Sequence, residues 1–336
     1  MLYNILFTLI MFLATLVPLL ISIAYFTLIE RQILGNMQRR QGPNIIGIFG
    51  LLQPIADGVK LLLKESVLPR SSNFMIFVLA PIFTLALALA AWVVVPFGEG
   101  MVIADVNLGI LYIFTVSSLS VHSVIMAGWS SNSKYAFLGA LRSAAQMISY
   151  ELSLGVAIVS VVLCANSINL TDIVIAQKDG WFFLALLPMF LIFFICTLAE
   201  TNRHPFDLPE AEAELVAGYN VEYSAMGFAL FFLAEYGNII LMCILTSLLF
   251  LGGWQAPIEL NLGGIFNYFY IPGSLWLSLK TMIFIVLFIA LRGALPRYRY
   301  DQLMRLGWKV FLPLTLGVFV IEASLLYSVN ALDINY

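Results

Sequence analysis

The chain has 336 residues, of which 62% are hydrophobic, 14% aromatic and only 10% charged, with a formal net charge of −3. An ordinary soluble domain is nearer half apolar and a quarter charged, so this composition excludes one and predicts an all-α polytopic membrane protein. Cys164, Cys196 and Cys243 stand alone within apolar runs, without CxxC spacing, and so indicate neither a disulfide framework nor a thiolate metal site.

A bilayer core of roughly 30 Å takes about 20 apolar residues per helical crossing. Eight stretches meet or approach this: 2–29, 74–97, 108–129, 143–165, 181–199, 223–251, 275–291 and 308–329. The first lacks the N-terminal positive charge and small-residue cleavage site of a removable signal peptide, and no Arg-rich, Ser-rich transit segment is present, so it reads as a true crossing. The expectation is one transmembrane domain over 1–336 with about eight transmembrane helices and inner loops at 30–73, 130–142, 200–222 and 292–309. Fourteen of the sixteen Lys and Arg residues fall in those alternate loops or at their edges, leaving Lys178 and Lys280 elsewhere. By the positive-inside rule these loops face the cytoplasm or matrix, and both termini face away from it.

The first inner loop carries a turn composition at Gln41-Gly42-Pro43-Asn44 and then a helical stripe. Polar residues stand at 53, 57, 60 and 64, while 51, 52, 55, 59, 62 and 63 are apolar, with Pro54 tolerable in the first turn. Such a helix is too amphipathic to span. It is expected at the inner interface with Asp57 and Lys60 on one face, either as a surface anchor or as the floor of a cavity. The outer loops near 99–105, 168–179 and 255–273 read as connectors, and the absence of an internal repeat disfavours transporters built from two similar halves.

Two acids lie within apolar runs. Glu151 is nine residues beyond Arg142, about 13 Å into the bilayer at 1.5 Å per residue, and Glu235 is thirteen beyond Glu222, about 20 Å. A carboxylate at such depth costs several kcal/mol unless paired, hydrated or protonated, which makes both candidate proton carriers. Glu322, near the outer end of the last run, is expected to snorkel to water or to pair locally. His122, mid-helix among Ser and Val, reads as a core hydrogen-bonding residue. No facing pair of histidines offers haem ligation and no Gly-rich fingerprint follows a strand, so no redox centre, metal site or nucleic-acid partner is expected.

Between the fifth and sixth runs comes the densest charge in the chain, Ala199-Glu200-Thr201-Asn202-Arg203-His204-Pro205-Phe206-Asp207-Leu208-Pro209-Glu210-Ala211-Glu212-Ala213-Glu214-Leu215. With Glu222 it holds six of the nineteen acids, at a membrane boundary, where charge is a candidate working site. On the residues alone three readings stay open. One is a proton-responsive switch formed by the acidic loop, another a freestanding proton- or cation-coupled carrier using Glu151 and Glu235, and the third a structural anchor docking peripheral subunits through its basic loops.

Three motifs carry a resemblance. Glu30-Arg31 with Gly35-Asn36-Met37-Gln38-Arg39-Arg40-Gln41-Gly42-Pro43-Asn44 and Gly50-Leu51-Leu52-Gln53-Pro54-Ile55-Ala56-Asp57, Lys60 and Lys64-Glu65 form the first. The acidic run through Tyr219-Asn220-Val221-Glu222-Tyr223 is the second, and Arg292-Gly293-Ala294-Leu295-Pro296-Arg297-Tyr298-Arg299-Tyr300-Asp301-Gln302-Leu303-Met304 with Trp308-Lys309 the third. In this order they resemble the inner loops of the family of NADH-ubiquinone oxidoreductase chain 1, the membrane subunits of respiratory complex I that border the quinone site. A hydrogenase-type membrane subunit is a related alternative.

The resemblance implies that Glu30, Arg31, Asp57, Glu65, Arg203, Phe206, Asp207, Glu210, Glu212, Glu214, Arg292 and Arg297 lie at or near a ubiquinone tunnel. Among them Arg203, Asp207, Glu210, Glu212 and Glu214 would act in coupling. It also implies that Glu151, Glu200, Glu222 and Glu235, with Tyr150, begin a proton pathway. Ubiquinone would be the substrate, with FMN and iron–sulfur clusters on partner subunits only. The partners implied are peripheral quinone-site subunits, small membrane subunits and lipids, in the mitochondrial inner membrane or a bacterial plasma membrane. His204 stands where a small or aliphatic residue is commoner and Ala213 where serine is frequent, which affects local hydrogen bonding alone.

Overall fold

The computed structural model describes residues 2–178, 180–207, 217–256 and 272–328, with side chains from residue 10 onward. Glu210, Glu212, Ala213 and Glu214 lie outside the described residues. The described chain is helical, without a named strand, in the order α1 (Leu2–Met37), α2 (Gln53–Leu63), α3 (Phe74–Ala91), α4 (Gly109–Ser130), α5 (Lys134–Ala165) and α6 (Leu170–Ala176). There follow α7 (Phe182–Ala185), α8 (Leu187–Glu200), α9 (Ala225–Phe250), α10 (Gly273–Ala294), α11 (Tyr300–Leu306) and α12 (Leu312–Ser328), the last two joined through a π turn at Gly307–Phe311. Among the described residues seven helices are long and apolar enough to cross a membrane, and α8 is a shorter apolar one.

The apolar run at 181–199 forms two helical pieces, α7 and α8, rather than one unbroken helix. Leu186 leaves the helical region at φ −107° and ψ 33°, and Pro188 stands in the first turn of α8. Proline has no N–H to give the preceding turn and clashes with it, so it begins a helix more readily than it continues one. Two other helices outrun their apolar segments. α1 continues through Met37 before Arg39 turns the chain at positive φ, and α5 starts at Lys134, where the Ser133 hydroxyl accepts from the Ala136 N–H.

α2 forms where the stripe placed it. Its polar side faces α1, with Arg31 Nη1 2.9 Å from Asp57 Oδ2 and Gln53 Nε2 donating to Asp57 Oδ1 at 3.0 Å. Ile55, Val59, Leu62 and Leu63 on the other side are exposed, as suits a helix lying on an apolar surface.

The core is dense in aromatic rings where α8, α9 and α10 meet: Phe190, Phe193 and Phe194 pack against Phe250, Phe284 and Phe288. Lys280 of α10, buried, donates to the carbonyls of Leu251, Gly253 and Gln255 and lies over the Trp181 ring, so its charge closes the C-terminal end of α9. α5 runs between α4, α8 and α12, and small residues set its distance from α4. A Cβ at Gly128 would crowd the Ala140 methyl and lie 2.8 Å from the Ala136 carbonyl oxygen.

Helices that meet in a membrane rely on such close approach. Gly128→Ala should therefore destabilise the protein by about 1–3 kcal/mol through overpacking. Gly58→Ala, with open space around the added methyl, should not. Thermal midpoints of the assembled complex in detergent check the pair.

Candidate functional site

The end of α8 explains how a charged loop enters the bundle. Asn202 adopts the left-handed conformation (φ 50°), the Asn202 N–H donates to Ala199 O at 3.2 Å and the Arg203 N–H donates to Leu198 O at 3.2 Å. This is the Schellman ending, for which asparagine is the usual alternative to glycine. It reverses the chain and points Arg203 back between α1 and α9.

Arg203 there becomes the centre of a buried ion cluster. Its Nη1 lies 3.3 Å from Glu30 Oε1, and its Nε lies 3.0 Å from Glu235 Oε1 in a charge contact rather than an aligned hydrogen bond. Arg292 Nη1 bonds the same Glu30 oxygen, and the Tyr236 hydroxyl donates to Glu30 Oε2 at 2.6 Å. The Arg203 guanidinium also stands 4.5 Å over the Tyr236 ring. Glu30 is 5% exposed and Arg203 6%. At that burial each charge depends on its partners rather than on water. Burial works against the Arg203 charge, but Glu235, Tyr236 and Glu30 hold its proton more firmly than an ordinary guanidinium.

Glu235 is thus no isolated carboxylate past the midplane. It lies ten residues into α9, and the reversed loop reaches in to pair with it. Among the described residues Arg203 pairs with Glu30 of α1 and Glu235 of α9.

Four residues on, Asp207 is 2% exposed and takes its counter-charge from elsewhere. Arg297 Nη2 lies 3.2 Å and His204 Nε2 3.1 Å from Asp207 Oδ2. The unusual histidine therefore stands beside the acid, with its Nε2 also 3.3 Å from Arg297 Nη2. Phe206, buried, stacks on Tyr298 and tilts against Tyr150, whose hydroxyl donates to Leu303 O. Gln146 Nε2 donates to Ala199 O at 2.9 Å and Phe206 O at 2.8 Å, tying both ends of the loop to α5. Sequence reasoning missed Gln146, Tyr236 and Tyr298. The signal for Gln146 was an amide within a crossing, four residues before Tyr150.

The remaining candidates divide. Arg31 and Asp57 pair at the surface, Glu65 is exposed away from both clusters, and Glu222 is half-buried just before α9. Glu151 accepts from Ser118 Oγ, with Ser117 Oγ 3.2 Å from the same oxygen. Glu200 is buried and its Oε2 has no hydrogen-bond partner among the described residues.

Three small cavities meet at Glu200. One of about 20 Å³ is shared with Glu151, one of about 50 Å³ with Glu235 and Asn238, and one of about 40 Å³ with Ser117 and Ser120. About 10–15 Å³ suffices for a water, so each has room for at least one. Two expectations fail outside this region. His122 is exposed rather than in the core, and Glu322 does not snorkel, since both its oxygens are enclosed by protein beside Ser160.

Fold and site together define a polytopic α-helical membrane protein with a paired charge cluster buried among its helices and carboxylates continuing along them. A model of the NADH dehydrogenase family matches residues 10–323. The chain is 59% identical over 313 residues to NADH-ubiquinone oxidoreductase chain 1 of Chondrus crispus, covering 93% of this chain and 94% of that one. It is 58% identical over 316 residues to the protein of that name from Arabidopsis thaliana (94% and 96%). To an NADH-quinone oxidoreductase subunit of Pelagibacter ubique (strain HTCC1062) it is 57% identical over 320 residues (95% and 95%). The chain belongs to the NADH dehydrogenase family, as its inner-loop motifs implied.

Removing the central cation should leave Glu30 and Glu235 buried and opposed. Arg203→Met is expected to cost about 3–5 kcal/mol, and Arg203→Lys less, since the charge stays but the planar fork is lost. The yield of intact complex on native gels measures this, and a wild-type yield for the methionine variant would contradict it.

Proposed function

We propose that the chain acts as the membrane subunit of an NADH:quinone oxidoreductase, forming much of the quinone access tunnel and linking quinone reduction to proton translocation. The placement of the Glu30, Arg203, Glu235 and Arg292 cluster carries this reading. An apolar groove of about 710 Å³ runs along α1 from Met11 to Ile29, walled by α9 and α10, and ends one residue from Glu30. Its hydroxyls at Thr15, Ser22, Ser278 and Thr281 all bond back to their own helices, so the walls suit an apolar tail, with the polar ring reaching the charged end.

In this reading ubiquinone is the substrate, and FMN and iron–sulfur clusters on partner subunits deliver the electrons. Peripheral quinone-site subunits, small membrane subunits and lipids surround the chain, which functions as one transmembrane domain over 1–336. The membrane is the mitochondrial inner membrane, with both termini on the intermembrane-space side, or its bacterial counterpart.

Converting a quinone to a quinol takes two electrons and two protons. Charge changing beside Asp207, Glu210, Glu212 and Glu214 alters their proton affinities, so the loop serves as a switch rather than as an electron carrier. Arg297 and His204 hold Asp207 in place, and Gln146 keeps Phe206 and Asp207 in register with α5. Glu200, with cavities leading to both Glu151 and Glu235, is the branch point for protons moving inward, and Tyr150 and Glu222 flank that route.

Losing a hydrogen bond to a charged group costs about 1.5–3 kcal/mol. Asp207→Asn and Glu212→Gln should each slow quinone-dependent NADH oxidation in inside-out vesicles by about tenfold or more, while ferricyanide reduction persists. Unchanged quinone reductase rates in both would sink the proposal. A photoreactive quinone should label peptides containing Arg31, Asp57 or Phe206, and labelling confined to outer loops would move the site elsewhere.

A further inference from the structure

Asp207 is buried, yet a carboxyl whose proton affinity changes during turnover needs a group through which protons can come and go. Its described neighbours differ in what they offer. Arg297 Nη2, 3.2 Å from Asp207 Oδ2, belongs to a guanidinium, which keeps its proton in proteins. Tyr298 has its ring stacked on Phe206, and the Tyr150 hydroxyl is given to Leu303 O. Arg203, on the same loop, is turned towards Glu30 and Glu235, and Glu210, Glu212 and Glu214 lie outside the described residues. His204 is left. Imidazole is the side chain that gains and loses a proton between about pH 5 and 8.

His204 Nε2 lies 3.1 Å from Asp207 Oδ2 and 3.3 Å from Arg297 Nη2, so the three atoms form a nearly equilateral triangle. The two contacts of Nε2 exclude one another. Carrying a hydrogen, it can donate to the carboxylate; without one, it can accept from Arg297, whose Nη2 has a second hydrogen for Asp207. The tautomer of the ring is therefore tied to where the proton of the Asp207 pair sits. The Tyr298 N–H donates to Pro205 O at 3.1 Å, which holds the Arg297 segment against the loop. The ring also reaches outward, with 21% of the side chain exposed and Nδ1 without a partner among the described residues.

We propose that His204 is the proton-exchange residue of Asp207, passing protons between the surroundings of the loop and the buried carboxyl. A proton arrives at Nδ1 and the Nε2 hydrogen passes to Asp207 Oδ2. One N–H bond forms, one N–H bond breaks and one O–H bond forms, which leaves a neutral ring and a neutral carboxyl with no other reactant consumed. Nε2 then accepts from Arg297, so the guanidinium keeps an acceptor when the carboxylate loses its charge. The reverse steps return the proton. His204 acts through Asp207 rather than on the quinone. The proposal rests on the reading of the acidic loop as a proton-linked switch, and it names the group by which that switch exchanges protons.

The test uses the intact complex in inside-out vesicles and two variants. His204→Gln keeps hydrogen-bonding atoms near the triangle but cannot take up or release a proton, and His204→Ala opens a space for added imidazole. Both should give wild-type yields of intact complex on native gels and normal ferricyanide reduction. Quinone-dependent NADH oxidation should fall several-fold in both and lose part of its dependence on pH between about 5 and 8. Imidazole in the buffer should restore the alanine variant but not the glutamine variant, a pattern that a merely structural role would not give. A wild-type rate and pH profile in the glutamine variant, no gain from imidazole in the alanine variant, or loss of intact complex in both would each overturn the proposal. Asp207→Asn separates it from the reading it rests on. A slow Asp207→Asn enzyme beside a normal His204→Gln enzyme removes the proton exchange at His204 alone, whereas normal rates in Asp207→Asn and Glu212→Gln remove the reading.

Discussion

Arg203 sits between Glu30 and Glu235 with almost no access to water, and much of the inner half of the molecule is arranged around that fact. A guanidinium so enclosed is stable only if carboxylates and hydrogen-bond acceptors surround it on several sides. Meeting that demand brings together α1, α9, α10 and the loop after α8, four segments far apart in sequence. The left-handed turn at Asn202 is the local device that makes it possible. Once Arg203 is anchored, Phe206 and Asp207 have little freedom, and Gln146, Tyr298 and Arg297 hold them against α5 and the segment after α10.

The described acids then fall into two kinds with different physics. Glu30, Glu235, Asp207 and Asp57 each face a cation or histidine within ion-pair distance. Glu151 and Glu200 face hydroxyls, cavities or an unmade bond instead. Under the proposed function these two carry the protons that move inward, while the paired acids do not.

Much of this was legible beforehand, element by element. The alternation of apolar runs with basic loops located the helices, and the spacing of Gln53, Asp57, Lys60 and Lys64 located α2 and its polar side. The dense acids after Ala199 marked the site. Other features were hidden because they depend on contacts rather than pattern. Nothing local announces that Tyr236 bonds Glu30 or that Gln146 holds Phe206. His122 looked like a core residue because its sequence neighbours are apolar or small, whereas its exposure is decided by which side of α4 meets α3 and α5. Counting from Glu222 placed Glu235 about 20 Å along its run, whereas the helix itself begins at Ala225, ten residues before it.

The sequence by itself determined that the chain crosses a membrane repeatedly, where its interfacial helix lies, and which loops concentrate charge. These properties follow from hydropathy and periodicity, which act over a single turn or a single crossing. Only the tertiary structure decided which charges neutralise one another, that the fifth apolar run breaks at Leu186, and that Glu200 joins cavities leading to Glu151 and Glu235. Pairing of buried charge is a long-range demand. It is met by whichever partners the packed helices bring within about 4 Å, and no local rule in the chain names them in advance.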